Sequence, residues 1–425
     1  MRGRSSFNRC FGPMLFLAAA RPSIRSLGWR SFVVTAESTP KSFKTLKVQV
    51  IHRHGDRSPI TPMKDVEFWS GELVDEITAK KIAENTEVIR EVEFTHAAGA
   101  RGPFGKLSKL GLLQMIRVGD TLLEELTQTK EDGLFYSPLF SAENPIHPSK
   151  LRVYSTDFSR TILSVQGLLV GLFPHGNPGH IPIDVRNTIL MIPDPKPRRF
   201  KEQELLENML VKRPHVMQRE SEMLDLAVEA TTALHDMLGE GAHEVSFGVV
   251  QDSSWSIEIE PLQWNQLAEI TVCLDSRDML PPPLTTEDKD AIGKHTAWRW
   301  FQTLSHPRLI YLAMHDFVNK QMDVFKRQES EHLTIWSAHD STLIAIMCAY
   351  RLERPAVWPE YASYVVLELV EETVTKELFV RFSINGQRLQ SQWEDSPAFD
   401  MIPFEFLVEK LDTVGSEASE FASIE

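Results

Sequence analysis

Residues 46–59 read LKVQVIHRHGDRSP. The first half, rich in Val and Ile and bounded by a Gly- and Pro-containing turn, predicts a β-strand over 46–52. The second half places His52, Arg53, His54 and Arg57 within six positions. Gly55 allows a sharp backbone bend after the strand. Arg53 and Arg57 can then direct planar guanidinium forks at one anion, with His54 between them. A neutral histidine held there can attack phosphorus directly.

His52 and His54 have strand spacing, which gives two side chains on one face and allows a metal-dependent hydrolase as an alternative. The two arginines oppose it, because fixed cations disfavour a divalent ion nearby. The sequence has no His-Glu-x-x-His motif to support it. For His52, simple packing on the strand is the plainer reading. A non-catalytic phosphate-binding module is a further alternative.

Two other segments repeat the pattern of a short strand followed by polar residues. LRVYST (151–156) is followed by a helix over 159–173 that begins at Ser159 and Arg160 and stops at Pro174. Arg160 would sit where free backbone N–H groups already favour an anion, with Asp157 or Ser159 as the helix cap. LTIWSAH (333–339) is followed by Asp340 and a helix over 341–352. Either Asp340 or Ser341 merely caps that helix, or Asp340 supplies a proton to a leaving oxygen and His339 adds a further donor to the phosphate oxygens. In open α/β sheets, ligands bind beyond the carboxyl ends of strands, so the three segments are expected to meet at one edge.

A long helix is predicted over 107–126, with Ser108 as N-cap. Residues 174–200 are Pro-rich, and 200–325 are mostly helical, which suggests a cap of roughly 196–325 inserted in an α/β core. YVVLELVEE (364–372) and ELFVRFSI (377–384) predict a strand hairpin, and FEFLVEKL (404–411) a last short helix.

Composition narrows the functional classes. The chain has 425 residues and a formal net charge of −14, which disfavours nucleic acid as a partner. No apolar run reaches membrane-spanning length. Residues 1–36 contain six arginines and no Asp or Glu, the composition of a mitochondrial presequence. The alternative is a secretory signal centred on MLFLAAA (14–20). With three cysteines and no Asn-x-Ser/Thr acceptor, the sequence carries little of the chemistry expected of a secreted chain.

The run RHGDRSP, then STDFSRT (155–161), then SAHDSTL (337–343), in this order, resembles the histidine acid phosphatase family. KLSKLG (106–111) resembles another recurrent element of that family. The resemblance spans most of 45–411, leaving 412–425 as a tail. It is nearest to the lysophosphatidic acid phosphatase branch, and the late His-Asp pair separates it from inositol polyphosphate relatives. It implies a phosphoglycerate-mutase-like three-layer α/β/α sandwich with the helical insertion. It also implies roles: His54 as the nucleophile that becomes a phosphohistidine, Arg53, Arg57, Arg160 and His339 binding the phosphate, and Asp340 protonating the leaving oxygen. No metal or cofactor is implied. The substrate implied is a small phosphate monoester, with a lysophospholipid suggested by the branch.

Overall fold

The structure is a computed structural model that describes residues 42–421, apart from 91–101, 129, 132–134, 142–143, 177–178, 186–187, 243–259, 328–330, 354–357 and 395. The Arg-rich segment 1–36 lies outside the described residues. The strands are β1 (Ser42–Arg53), β2 (Thr86–Ile89), β3 (Lys130–Glu131), β4 (Phe135–Ser137), β5 (Leu151–Ser155), β6 (Ile181–Asp184), β7 (Leu333–Ala338), β8 (Tyr364–Glu372), β9 (Leu378–Ile384), β10 (Gln387–Leu389) and β11 (Ile402–Pro403). The helices are α1 (Val66–Glu72), α2 (Glu76–Ala83), α3 (Lys109–Thr127), α4 (Ser159–Leu172), α5 (Lys201–Leu210), α6 (Pro214–Glu222), α7 (Leu224–Leu234), α8 (Trp264–Asp275), α9 (Thr286–Leu304), α10 (Pro307–Lys326), α11 (Asp340–Ala349) and α12 (Phe404–Phe421).

One sheet organises the chain, in the order β10-β9-β8-β1-β7-β5-β6-β2. β1 runs parallel to β7 and antiparallel to β8, so it lies where the parallel half meets the antiparallel half. Its side chains alternate between two apolar layers. Val48 and Val50 pack in a core with Met115 of α3 and Val165 of α4. Ile51 faces the other core, with Phe317 of α10, Ile344 of α11 and Leu407 of α12. This is the expected α/β/α sandwich. With both faces covered, β7 is buried throughout and β1 is buried from Val48 to Arg53.

The helices of the 200–325 region do not all belong to one layer. α7 and α8 form a third apolar cluster around Leu234, Leu267 and Ile270. α10 instead packs in the sheet core through Met314 and Phe317.

Three local expectations differ from the structure. β2 and β6, in stretches where no strand was expected, add a parallel edge to the sheet, and each has only four residues. The last helix runs to Phe421 rather than ending at 411. The N-cap of α4 is Phe158, without a side-chain cap, because the Asp157 carboxylate instead pairs with Arg90 at 3.0 Å.

Candidate active site

The register of the parallel strands assembles the site. Arg53 is opposite Ala338, and Ser155 is opposite Ser337, so the residues following β1, β5 and β7 emerge side by side. Arg53, His54, Arg57, Arg160 and His339 are all buried there, and Asp340 is part-buried beside them. The six residues expected to form the site are thus together.

The loop after β1 is held by close backbone contact. Gly55 lies against Gly111 in the first turn of α3, and a Cβ on either would collide with the other segment's backbone. Ser108 caps α3 by accepting from Gly111 N–H at 3.0 Å, and its hydroxyl donates to Asp56 Oδ1 at 2.5 Å. Gln114 accepts from Asp56 N–H at 2.8 Å. These contacts give KLSKLG a physical role: it forms the socket for the turn.

His54 Nδ1 lies 2.8 Å from the Gly55 carbonyl oxygen. A carbonyl only accepts, so Nδ1 carries the hydrogen and Nε2 keeps its lone pair. Burial lowers the His54 pKa well below 6.5, and Arg160, Arg53, Arg57 and His339 add to the effect. The ring is therefore neutral, with its lone pair on Nε2.

The three arginines are fixed differently. Arg53 donates to the Pro359 carbonyl at 2.5 Å and to Asp340 Oδ2 at 2.9 Å, with its guanidinium 4.1 Å from the Tyr361 ring centre. Arg57 donates to Glu269 Oε2 at 2.7 Å and to the Ser58 carbonyl at 3.0 Å. Burial opposes the Arg57 charge, but Tyr361 and Glu269 more than offset it and raise its pKa. Arg160 lies 4.4 Å from the Phe158 ring centre and makes a long 3.4 Å contact to the Gly105 carbonyl. Burial and then Arg57 push Arg160 down to about 9. It is the cation with most to gain from a bound dianion.

His339 follows β7 as the N-cap of α11, and its Nε2 is 3.0 Å from Thr156 Oγ1. The Thr161 hydroxyl donates to the Thr156 or Phe158 carbonyl, so it accepts from Thr156 Oγ1 at 2.9 Å. Thr156 Oγ1 must then accept from His339 Nε2–H, which leaves His339 Nδ1 without a hydrogen, facing the Thr342 amide in the first turn of α11. Burial, reinforced by Arg160 and opposed in part by Asp340, lowers the His339 pKa to about 3. Asp340 accepts from Ser341 N–H at 2.8 Å and from Trp358 Nε1–H at 3.0 Å. Burial would raise its pKa, but Arg53, followed by His339 and the Ser341 amide, wins and lowers it.

His52 belongs to the packing side of β1. It is fully buried, its Nδ1 lies 3.0 Å from the Arg53 carbonyl, and its Nε2 has no partner. Burial takes its pKa to about 4. Among the described residues, no group of three or more His, Cys, Asp or Glu is placed to hold a metal ion.

Several residues at the site were not identified from sequence. Glu269 of α8 accepts from Arg57 and also from the Ile60 and Thr61 amides, each at 2.7 Å. Asp56 pairs with Arg277 at 2.7 Å. Tyr361 stacks on Arg53, and its hydroxyl is 3.3 Å from the buried Cys273 thiol. The only local signal for Glu269 is an acid between the apolar Leu267 and Ile270 on a buried helix, which needs a cation somewhere.

Residues 45–213 match the histidine phosphatase superfamily, branch 2. Among curated proteins, a probable acid phosphatase of Dictyostelium discoideum is 22% identical over 382 residues, covering 87% of this chain and 74% of that protein. Human lysophosphatidic acid phosphatase type 6 is 23% identical over 367 residues, covering 81% of this chain and 78% of that protein. The chain is thus similar to histidine acid phosphatases over most of its length. Solved histidine acid phosphatase folds agree. The apo phytase of Hafnia alvei superposes with a TM-score of 0.59 at 13% identity, over 89% of this chain and 98% of that one. The protein is a phosphoric monoester hydrolase. No helix among the described residues is long and apolar enough to cross a membrane.

Proposed function

We propose that the enzyme hydrolyses phosphate monoesters by double displacement through a phosphohistidine at His54. The observation that carries this reading is the Nδ1 contact to the Gly55 carbonyl, which leaves the Nε2 lone pair free beside three buried arginines. Nε2 attacks phosphorus, and the bond from phosphorus to the ester oxygen breaks. The leaving oxygen takes the electron pair and a proton from Asp340. Water then attacks the phosphohistidine, Asp340 takes a proton from it, and His54 leaves as the neutral ring. Arg53, Arg57 and Arg160 stabilise the charge spread over the equatorial oxygens.

Asp340 must be protonated for the first step, while Arg53 holds it ionised in the empty site. A bound dianion competes for Arg53 and raises the Asp340 pKa. The same dianion raises the His339 pKa, so that the ring takes up a proton and donates to a phosphate oxygen. Both effects favour acid conditions.

The substrate class we propose is a lysophosphatidic acid or a related lipid phosphate. The relatives named lysophosphatidic acid phosphatase type 6 support it, as they align over about four-fifths of the chain. The arginine-rich, acid-free composition of residues 1–36 supports delivery to the mitochondrion.

The deciding experiment mixes enzyme with phosphorus-labelled ester, quenches within milliseconds and maps the acid-labile adduct. Label on residue 54 is expected. Product formation with no label there would overturn the assignment. A panel of lysophosphatidic acid, sugar phosphates, phosphotyrosine and inositol phosphates, ranked by kcat/KM, tests the substrate class.

A further inference from the structure

Fourteen large apolar side chains are exposed among the described residues, and seven of them lie between positions 189 and 224. Isolated exposed apolar residues are ordinary, but a concentration in one short region marks an interaction surface. On α5, Gln203 and Leu210 are buried, while Leu205 and Met209, one turn apart, are 60% and 58% exposed. Lys201 precedes them on the same stripe, and Lys212 lies just beyond the end of α5. Phe200, at the start of α5, and Val211 and Met217, beyond its end, extend the apolar character.

The charge of this face differs from that of the chain. Glu202, Glu207 and Glu220 are engaged by Arg308, Arg198 and Arg299 at 2.6, 2.8 and 2.7 Å. Lys201, Lys212 and Arg213 are exposed and make no ion pair among the described residues, leaving Glu204 as the acid on the outer face of α5. An apolar stripe edged by free cations, on a protein of net charge −14, suits an interface of apolar chains beneath anionic head groups. A second copy of the chain is a poorer match, because a two-fold contact through this face would bring the same lysines together.

The stripe is joined to the catalytic site by a short run of chain. The Thr342 hydroxyl, in the first turn of α11, donates to the Met191 carbonyl at 2.6 Å. Asp194, whose pKa burial pushes up to about 6, lies within the electrostatic reach of Asp340.

We infer that the outer face of α5 and the start of α6 seats the enzyme on an anionic lipid surface. The purpose of this docking rests on the lipid phosphate reading above, but its test does not. Full-length enzyme is sedimented with phosphatidylcholine vesicles, with and without about 30% phosphatidylserine. Wild type is expected to bind the anionic vesicles and to be released by salt. The double variants Leu205→Asp/Met209→Asp and Lys201→Glu/Lys212→Glu should each lose roughly tenfold or more in binding. Their turnover of p-nitrophenyl phosphate should be unchanged.

Absence of wild-type binding would overturn the inference. So would binding that persists in both variants, as attachment through residues 1–36 would give. A wild-type dimer that the variants convert to monomer would assign the face to self-association instead. If vesicles are bound but lysophosphatidic acid within them is not hydrolysed, the docking surface stands and the substrate reading fails. If micellar lysophosphatidic acid is hydrolysed without vesicle binding, the reverse holds.

Discussion

Arg53 and Asp340 form a 2.9 Å ion pair between the end of β1 and the first residue of α11. The contact joins a proposed phosphate ligand to the proposed proton donor, so occupancy of one site sets the acidity of the other. A dianion that draws on the Arg53 charge releases Asp340 from it.

Asp340→Asn keeps the shape and removes the proton donor. With alkyl phosphates, whose leaving oxygen needs protonation, kcat should fall by about 10²–10⁴. With p-nitrophenyl phosphate the fall should be much smaller, roughly tenfold or less, since that leaving group departs as an anion. Comparing kcat across a series of leaving-group pKa values measures this directly. Equal losses for both substrates would remove Asp340 from the acid role.

Glu269→Ala tests whether Arg57 must be aimed as well as charged. The pair is almost fully enclosed, so removing the carboxylate should cost about 3 kcal/mol of stability. It also frees the Ile60 and Thr61 amides and lets the fork wander, and misalignment of this kind costs up to roughly 100-fold in rate. The expected result is a 10- to 100-fold drop in kcat/KM, estimated on that basis. Inhibition by inorganic phosphate should change by less than about threefold, because the Arg57 charge remains and loses its neutralising partner. Glu269→Gln, which keeps an acceptor, should recover part of the rate.

Arg160 lowers the His54 pKa, second only to burial. Wild-type kcat/KM should therefore show no acid-side loss near pH 6.5, and the loss should appear only well below it. Arg160→Gln removes a positive neighbour, so His54 becomes easier to protonate and the acid limb must move to higher pH. A profile from pH 3 to 8 on both enzymes reads the shift. An unmoved limb in the variant would mean that the titrating group is not His54.

Sequence carried the six-residue cluster because strand ends are local. β1, β5 and β7 each declare themselves by apolar runs, and parallel pairing then sets Arg53, Ser155 and Ala338 nearly level. The residues that fix the cluster were not legible, for a different reason. Glu269 and Tyr361 reach Arg57 and Arg53 from a helix and a loop whose placement depends on tertiary packing, not on any local spacing. Asp157 misled in the same way. An acidic residue before a helix looks like a cap, yet a cation on a distant segment, Arg90, took the carboxylate. The four-residue strands β2 and β6 are too short for periodicity to distinguish them from loop.

His52 has a consequence for an enzyme proposed to work in acid. Its pKa is about 4 in the folded chain, against 6.5 for an exposed histidine, because burial disfavours the charged ring. The sign follows from proton binding. Between pH 6.5 and 4 the unfolded chain binds a proton at this position and the folded chain does not, so stability falls as pH drops through that window. From pH 7 to 5 the loss from this one ring is about 2 kcal/mol. Nε2 makes no hydrogen bond, so an apolar ring gives up only the Nδ1 contact to the Arg53 carbonyl, worth about 1 kcal/mol. His52→Phe adds volume to a packed layer, which costs roughly 1–3 kcal/mol at neutral pH. Its stability should nevertheless decline less steeply on acidification, by about 2 kcal/mol over the same interval. Urea unfolding at pH 7 and pH 5 on both proteins separates the two effects. If the variant loses as much stability between these pH values as wild type does, His52 is not titrating in this window.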